Sequence, residues 1–156
     1  MQLTNRRVHL MGTVIDVSIY HKQPEPLLDQ VEALLNLYNK RFSANDDSSE
    51  LMKINKAAGL HPVKIHPELF ELISLGKWHS CQPGSHLNIA IGPLIQTWRI
   101  GFSDARLPFP EEITLLLDII NPNAIVLSEE NQSVFLQEKG MKIDLGALAK
   151  GYIADR

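Results

Sequence analysis

The residues best suited to chemistry lie at the end of the sequence, where residues 144–156 read DLGALAKGYIADR. Residues 141–145 read MKIDL and predict a strand, which passes through Gly146 into an Ala-rich segment that predicts the start of a helix. N–H groups of a first helical turn attract phosphate, and Lys150 adds a positive charge nearby. A carboxylate at the strand end, Asp144, needs a cation or a hydroxyl as its partner. The segment therefore predicts a phosphate site, although an ordinary strand–turn–helix with a solvated lysine fits the same pattern.

Two other groups of polar residues invite a metal-binding interpretation. Residues 46–50 read DDSSE, but they lack the Asp/Asn alternation and central glycine of a calcium loop. A solvated helix N-terminus capped by Ser48 or Ser49 is the better interpretation. The six histidines include no i, i+4 pair within one predicted helix, which is the spacing that a helical zinc site favours.

The pattern of helices and strands has no regular strand–helix–strand alternation, which predicts an α+β fold with antiparallel strands. Residues 8–20 predict one strand or two, with Gly12 as a bulge or a point of close approach. Helices are predicted over residues 24–42, 49–56, 66–81, 93–98 and 108–120. A short strand is predicted at residues 63–65, and an antiparallel meander is predicted from residues 124–127, 134–136 and 141–145. Trp78 and Trp98 are expected to be core aromatic residues.

The composition is that of an ordinary globular domain. The 156 residues are 44% hydrophobic and 21% charged, and the net charge of −3 gives no electrostatic reason to expect nucleic acid or an anionic membrane as a partner. The single cysteine, Cys81, excludes an internal disulfide and is expected to be a buried small hydrophobic residue. The sequence contains no apolar run of about eighteen residues, and no apolar h-region follows Arg6 and Arg7. We therefore expect no membrane segment and a cytoplasmic location for the sequence as written, with no preference for an oligomeric state.

Four segments, taken in order, carry a resemblance to a known family. They are MGT at residues 11–13, RFSANDDSSEL at 41–51 followed by IN at 54–55, LNIAIGPL at 87–94 followed by Trp98, and residues 144–155. In this order and spacing they resemble the ApbE family of FAD:protein FMN transferases, in which many members are exported lipoproteins. The similarity runs from about Met11 to the last residue.

The resemblance implies an ApbE-like, T-fold-like structure and an Mg²⁺-dependent enzyme that cleaves the pyrophosphate of FAD. Such an enzyme transfers FMN to a Thr or Ser hydroxyl of a target flavoprotein and releases AMP. Because family members are considerably longer, we expect residues 1–156 to be the N-terminal portion of such a domain, truncated at the C-terminus. We expect this portion to be inactive, or nearly so, by itself.

The resemblance also implies a set of binding residues. Contact with FAD is implied for Met11, Asn45, His86, Leu87, Asn88, Asp144 and Lys150, and the backbone carbonyl of Ala147 is implied to coordinate Mg²⁺. Asn45 stands where many members carry an aromatic side chain that packs on the flavin nucleotide, and Asn88 stands where many carry an acidic residue. The remaining Mg²⁺ ligands, an Asp and a Thr or a similar residue, belong to the later half of the longer members. No catalytic residue is assigned.

A second class of function fits the same residues. The chain could be a non-catalytic flavin- or nucleotide-binding module, or a folded remnant that catalyses nothing. Release of AMP from FAD in the presence of Mg²⁺ distinguishes the enzyme from either alternative.

Overall fold

Helices and antiparallel strands are mixed along the chain, as the sequence predicts. The computed structural model describes all residues from 1 to 156. The strands are β1 (Gln2–Leu10), β2 (Thr13–His21), β3 (Val63–Lys64), β4 (Ile125–Ser128) and β5 (Ser133–Leu136). The helices are α1 (Pro24–Phe42), α2 (Glu50–Lys56), α3 (Pro67–Ser80), α4 (Gly92–Trp98), α5 (Pro110–Leu117) and α6 (Gly146–Ala154), with a 3₁₀ turn at Pro122–Ala124. No helix is both long enough and apolar enough to cross a membrane. The α+β prediction is confirmed.

The first sheet is a hairpin of β1 and β2, paired antiparallel from Gln2 with His21 to Leu10 with Thr13. Met11 (φ 54°) and Gly12 (φ 71°) form its two-residue turn, and both have left-handed backbones, as tight hairpin turns require. Of the two predictions for residues 8–20, one strand or two, the structure shows two strands. Gly12 is a turn residue and not a bulge, so that alternative is wrong.

The second sheet has the strand order β3–β5–β4, with both pairs antiparallel. Two strands of the predicted meander are confirmed, but residues 141–145 do not form the third. Their one strand-like contact is an isolated parallel bridge between Ile91 and Lys142. The buried backbone of Ile143 is instead hydrogen-bonded by the side chain of Asn55, which takes the place of a neighbouring strand. The third position in the sheet belongs to β3.

The helices enclose one hydrophobic core with the second sheet. Helix α1 has the predicted bounds and buries Leu28, Leu35, Tyr38 and Phe42, while α3 buries Leu69, Phe70, Leu72 and Ile73. Helix α5 is shorter than predicted and has no buried residue. On each of the helices α1 and α3 the apolar side chains recur at helical intervals and therefore share one face. That face packs on the core and sets the orientation of the helix.

Two expectations about burial are wrong. Trp78 is 58% exposed, because it lies off the α3 face that carries Leu72 and Ile73, and its ring packs edge-on against His79. Trp98, at the end of α4, is half-buried, and Cys81 is also half-buried.

The backbone of Gly92 approaches Lys142 so closely that position 92 has no room for a side chain. A Cβ there would lie 2.6 Å from the carbonyl oxygen of Lys142, to which the Gly92 N–H donates at 3.2 Å. We expect Gly92→Ala to lower the free energy of unfolding by about 1–3 kcal/mol, measured by urea denaturation. Gly151→Ala in α6 is the control: apart from its chain neighbours and the backbone of its own helix, nothing lies within 4 Å of the added Cβ, so this change should stabilise by about 0.5–1 kcal/mol. Equal stability of the two variants would show that the contact is loose.

Candidate functional site

Asp144 lies immediately before α6 and holds its first N–H. Its Oδ1 accepts a hydrogen bond from the Gly146 N–H at 2.8 Å, and the cap residue Leu145 contributes no side-chain bond. The Leu145 carbonyl accepts the N–H groups of Leu148 and Ala149, whereas the N–H of Ala147 is used in no hydrogen bond within the chain. The helix therefore begins with one donor neutralised by a carboxylate and one exposed donor beside it. That arrangement suits an anion held next to a carboxylate.

Lys142, Ile143 and Asp144, which precede the helix cap Leu145, are each hydrogen-bonded to a residue far away in the sequence. The carbonyl of Lys142 accepts from Gly92 at 3.2 Å, and the Asp144 N–H donates to the carbonyl of Ile89 at 2.9 Å. Between them, Ile143 N–H donates to Asn55 Oδ1 at 2.8 Å, and Asn55 Nδ2 donates to the Ile143 carbonyl at 3.0 Å. Because all these partners are backbone or buried, the position of Asp144 is well defined.

The far end of α6 is also anchored. The Tyr152 hydroxyl donates to Glu71 on α3 at 2.6 Å, and Arg156 donates to the same carboxylate at 2.8 Å. Burial, followed by the hydrogen bond to Glu71, raises the pKa of Tyr152 to about 12. The phenol therefore stays protonated at neutral pH and keeps donating. Both ends of α6 are thus tied to the rest of the fold.

Residues 86–88 immediately precede Ile89, whose carbonyl accepts the hydrogen bond of the Asp144 N–H. His86 is exposed, and Leu87 is half-buried with its N–H on Ser85 Oγ at 3.1 Å. Both polar ends of Asn88 are engaged: Oδ1 accepts from the Ala90 N–H and Nδ2 donates to the Ile120 carbonyl, each at 2.8 Å. The amide of Asn88 therefore holds this segment in place.

A separate cleft of about 390 Å³ lies between the hairpin turn, the end of α1 and the loop at residues 43–49. Its lining residues are His9, Leu10, Met11, Gly12, Thr13, Val14, Asn39, Ser43, Asn45 and Asp46. The Met11 N–H donates to Asn39 Oδ1 at 3.1 Å, which supports the left-handed turn, and Asn39 Nδ2 donates to Asp46 at 3.4 Å. Asn45 is exposed at this cleft.

The eight residues implied to bind FAD or Mg²⁺ therefore fall into two groups. Met11 and Asn45 meet at the cleft. His86, Leu87, Asn88, Asp144, Ala147 and Lys150 lie on the two segments around the start of α6, and none of them lines the cleft. Lys150 is exposed and forms no ion pair within the chain.

The sequence interpretation assigned no role to two asparagines that organise these groups. Asn39 joins the hairpin turn to the loop at residues 43–49, and Asn55 joins α2 to Ile143. The sequence position of Asn55 indicated a buried polar residue, because Asn55 directly follows Ile54 in a helix whose other buried residues are Leu51 and Ile54. Asn39 carried no such signal, since an asparagine near a helix end is unremarkable.

The residues of this chain do not form a complete Mg²⁺ site. No group of three or more His, Cys, Asp or Glu side chains is placed to hold a metal ion. Near Ala147 the donors are its own carbonyl and the carboxylate of Asp144, one oxygen of which already accepts from Gly146. Mg²⁺ requires close to six oxygen ligands, several of which can be water.

Solved structures share this fold. The ApbE protein of Thermotoga maritima superposes with a TM-score of 0.87 at 24% identity, covering 99% of this chain and 51% of that chain. The flavin transferase ApbE of Vibrio cholerae gives a TM-score of 0.84 at 19% identity, with coverage of 99% and 51%. The class of protein is therefore an α+β domain with the ApbE fold.

Sequence comparison gives the family. The model of the ApbE family matches residues 11–156. An FAD:protein FMN transferase of Klebsiella pneumoniae (strain 342) is 43% identical over 147 residues, which are 94% of this chain and 46% of the relative. Another of that name, from Treponema pallidum (strain Nichols), is 32% identical over 156 residues, covering 94% of this chain and 43% of the relative. The chain belongs to the ApbE family, and it spans about half the length of these curated relatives.

The incomplete donor set leads to a prediction about metal binding. Without nucleotide, this chain should bind no Mg²⁺ stoichiometrically at low micromolar concentration, because one carbonyl and one carboxylate cannot replace the ion's water shell. Isothermal titration calorimetry with MgCl₂ measures this. Stoichiometric heats would reveal a complete site elsewhere, and Asp46→Asn or Asp47→Asn would then show whether the acidic loop at residues 46–50 provides it.

Proposed function

We propose that this chain forms the FAD-holding portion of an Mg²⁺-dependent FAD:protein FMN transferase. The reaction moves FMN from FAD to a Thr or Ser hydroxyl of a target flavoprotein and releases AMP. The relatives of that name support the activity. The observation that carries the assignment of the site is the start of α6, where the carboxylate of Asp144 is followed by the unbonded N–H of Ala147 and by the exposed Lys150.

In the proposed reaction the acceptor hydroxyl oxygen attacks the phosphorus of the FMN half of FAD. The bond from that phosphorus to the bridging oxygen breaks, AMP leaves with that oxygen, and the hydroxyl proton passes to solvent water. Charge on the pyrophosphate is the main obstacle to this attack, so catalysis consists largely of positioning and neutralisation. Mg²⁺ is included through the family resemblance, and most of its ligands would come from outside residues 1–156.

The roles of this chain follow from the exposed groups around α6. The Ala147 N–H can donate to a pyrophosphate oxygen, and the Lys150 ammonium lies one helical turn further along to neutralise charge. The second oxygen of Asp144 can accept from a ribose or ribityl hydroxyl. A carboxylate beside phosphates is repulsive unless cations balance it, which is a reason for Lys150 to be in this position.

The cleft at the hairpin turn is proposed to hold part of the flavin nucleotide. Its volume of about 390 Å³ lies at the lower end of the range for small-molecule sites, so it can hold only part of a molecule as large as FAD. Met11 offers a polarisable thioether to an aromatic ring, whereas Asn45 can only form hydrogen bonds. The proposed flavin contact at Asn45 is therefore polar.

One observation favours the alternative function for this chain by itself. The metal donors are incomplete. A non-catalytic flavin- or nucleotide-binding module needs the cleft and the α6 groups but no metal. Binding and AMP release must therefore be measured separately.

We expect this chain to bind FAD more weakly than the Klebsiella relative does, with a Kd above 1 μM, because it contributes only part of the site. Titration followed by flavin fluorescence measures both proteins. Lys150→Ala should weaken binding about three- to tenfold, since it removes a cation near the pyrophosphate. Lys64→Ala, on β3, is the matched control and should leave binding unchanged. Sub-micromolar affinity of this chain would contradict the division of the site.

Asp144→Ala should abolish AMP release in a chimera. The chimera joins this chain in frame to the part of the Klebsiella relative beyond the aligned residues, and AMP is measured by chromatography with FAD and Mg²⁺. We expect a loss of more than tenfold, corresponding to at least about 1.4 kcal/mol of barrier. Circular dichroism should be unchanged. Activity retained within tenfold would make Asp144 structural, and an inactive parent chimera would argue against the transferase.

A further inference from the structure

The backbone of Ile143 is buried in a stretch that has no strand on the side facing α2. The side chain of Ile143 is fully buried, and its backbone N–H and C=O both point at Asn55. The Asn55 amide accepts from the N–H at 2.8 Å and donates to the carbonyl at 3.0 Å. One side chain therefore satisfies the two groups that a neighbouring strand would otherwise pair.

Asparagine is well suited to this pairing. Its amide carries an acceptor and a donor in one plane, so it matches a backbone peptide group. An ionised aspartate at position 55 would offer no donor to the Ile143 carbonyl, and alanine would leave both buried groups unpaired. Apart from Ile143, the only hydrogen-bond partner of the Asn55 amide is the Met52 sulfur, at 3.8 Å.

Helix α2 connects this pairing to the cleft. At its N-terminus Ser49 is fully buried, accepts the Met52 N–H at 3.0 Å, and donates its hydroxyl to the Ser43 carbonyl at 2.6 Å. Ser43 is one of the residues that line the cleft. Near its other end, Asn55 bonds to the residue before Asp144. The seven residues of α2 therefore form a short rigid link between the two groups of candidate binding residues.

We propose that Asn55 is a positioning residue, which sets Asp144 and the start of α6 at a fixed place relative to the cleft. The expected effect of Asn55 on FAD binding rests on the function proposed above, in which the cleft residues and the residues around α6 contact one FAD molecule. The placement of Asp144 does not rest on it. The amide acts through Ile143 and touches no ligand.

The first test is independent of FAD. Hydrogen exchange followed by NMR gives protection factors for the amides of Asp144 and Gly146, with the hydrogen-bonded amides of Ile65 and Gln137, directly beside the second sheet, as references. In Asn55→Ala the first two should lose at least tenfold more protection than the references. Leu28→Ala, a buried change on α1, is the control for general destabilisation and should not single out Asp144 and Gly146. An equal loss at all four amides in Asn55→Ala would overturn the proposal.

The second test uses Asn55→Asp, because a protonated carboxylic acid can both donate and accept. At pH 8 the carboxylate should expose Asp144 and Gly146 to exchange and weaken FAD binding at least tenfold. Burial raises the pKa of a carboxyl group, so protonation should restore both properties as the pH falls towards 5. Other charged groups near position 55 could also change with pH, and the parent chain has the same ones, so its pH profile is the reference. They are Lys53 and Lys56 on α2, and Lys142 and Asp144 beside Ile143.

The outcomes separate the two proposals. If the parent chain binds no FAD, the proposed function fails, while exchange still decides the role of Asn55. If FAD binding by Asn55→Asp equals that of the parent at pH 8 despite local loss of protection, Asn55 orders Ile143 without positioning the FAD site. No recovery of protection at low pH would show that the paired hydrogen bonds are not the cause.

Discussion

The buried backbone from Lys142 to Asp144 is hydrogen-bonded although it belongs to no sheet. The position of the candidate site depends on these hydrogen bonds. A buried amide or carbonyl left unpaired costs about 1–3 kcal/mol, which is a large part of the net stability of a small domain. Two separate segments supply the partners: the backbone of Ile89 and Gly92, and the side chain of Asn55. Because these partners come from distant parts of the chain, satisfying the backbone also fixes the start of α6.

The hydrophobic core makes that arrangement rigid. A cluster of twenty buried residues includes Met141, Ile143 and Leu145, which alternate with the more exposed Lys142 and Asp144. The alternation turns every second side chain inward, as in a strand, and leaves the polar ones facing outward. At the other end of α6, Tyr152 packs edge-on against Tyr38 and Phe42 and hydrogen-bonds to Glu71. A helix held at both ends presents its first N–H groups at a defined place.

Most of the fold could be predicted from the sequence because its signals are local. The apolar stripe and the early prolines of α1 predict its bounds, and Ser49 was one of two expected caps for α2. The errors concern contacts between distant residues. The prediction of a third meander strand was wrong. Residues 141–145 have a strand-like pattern, but their backbone is bonded by the Asn55 side chain and by a single bridge from Lys142 to Ile91 instead of a strand ladder. Trp78 was expected on the inner face of α3 together with Ile73, whereas its position five residues further along the helix faces outward.

The sequence by itself determined the mixed α+β class, the family resemblance, and the segment in which Asp144 precedes a helix. These depend on residue types and on spacings within one segment, which are visible before folding. Only the tertiary structure decided that the candidate residues form two groups, that Asn88 uses both ends of its amide internally, and that Asn55 pairs with Ile143 across 88 residues. Such pairings depend on which buried polar groups meet when the core closes. That meeting is set by packing of the whole chain, so no local pattern encodes it.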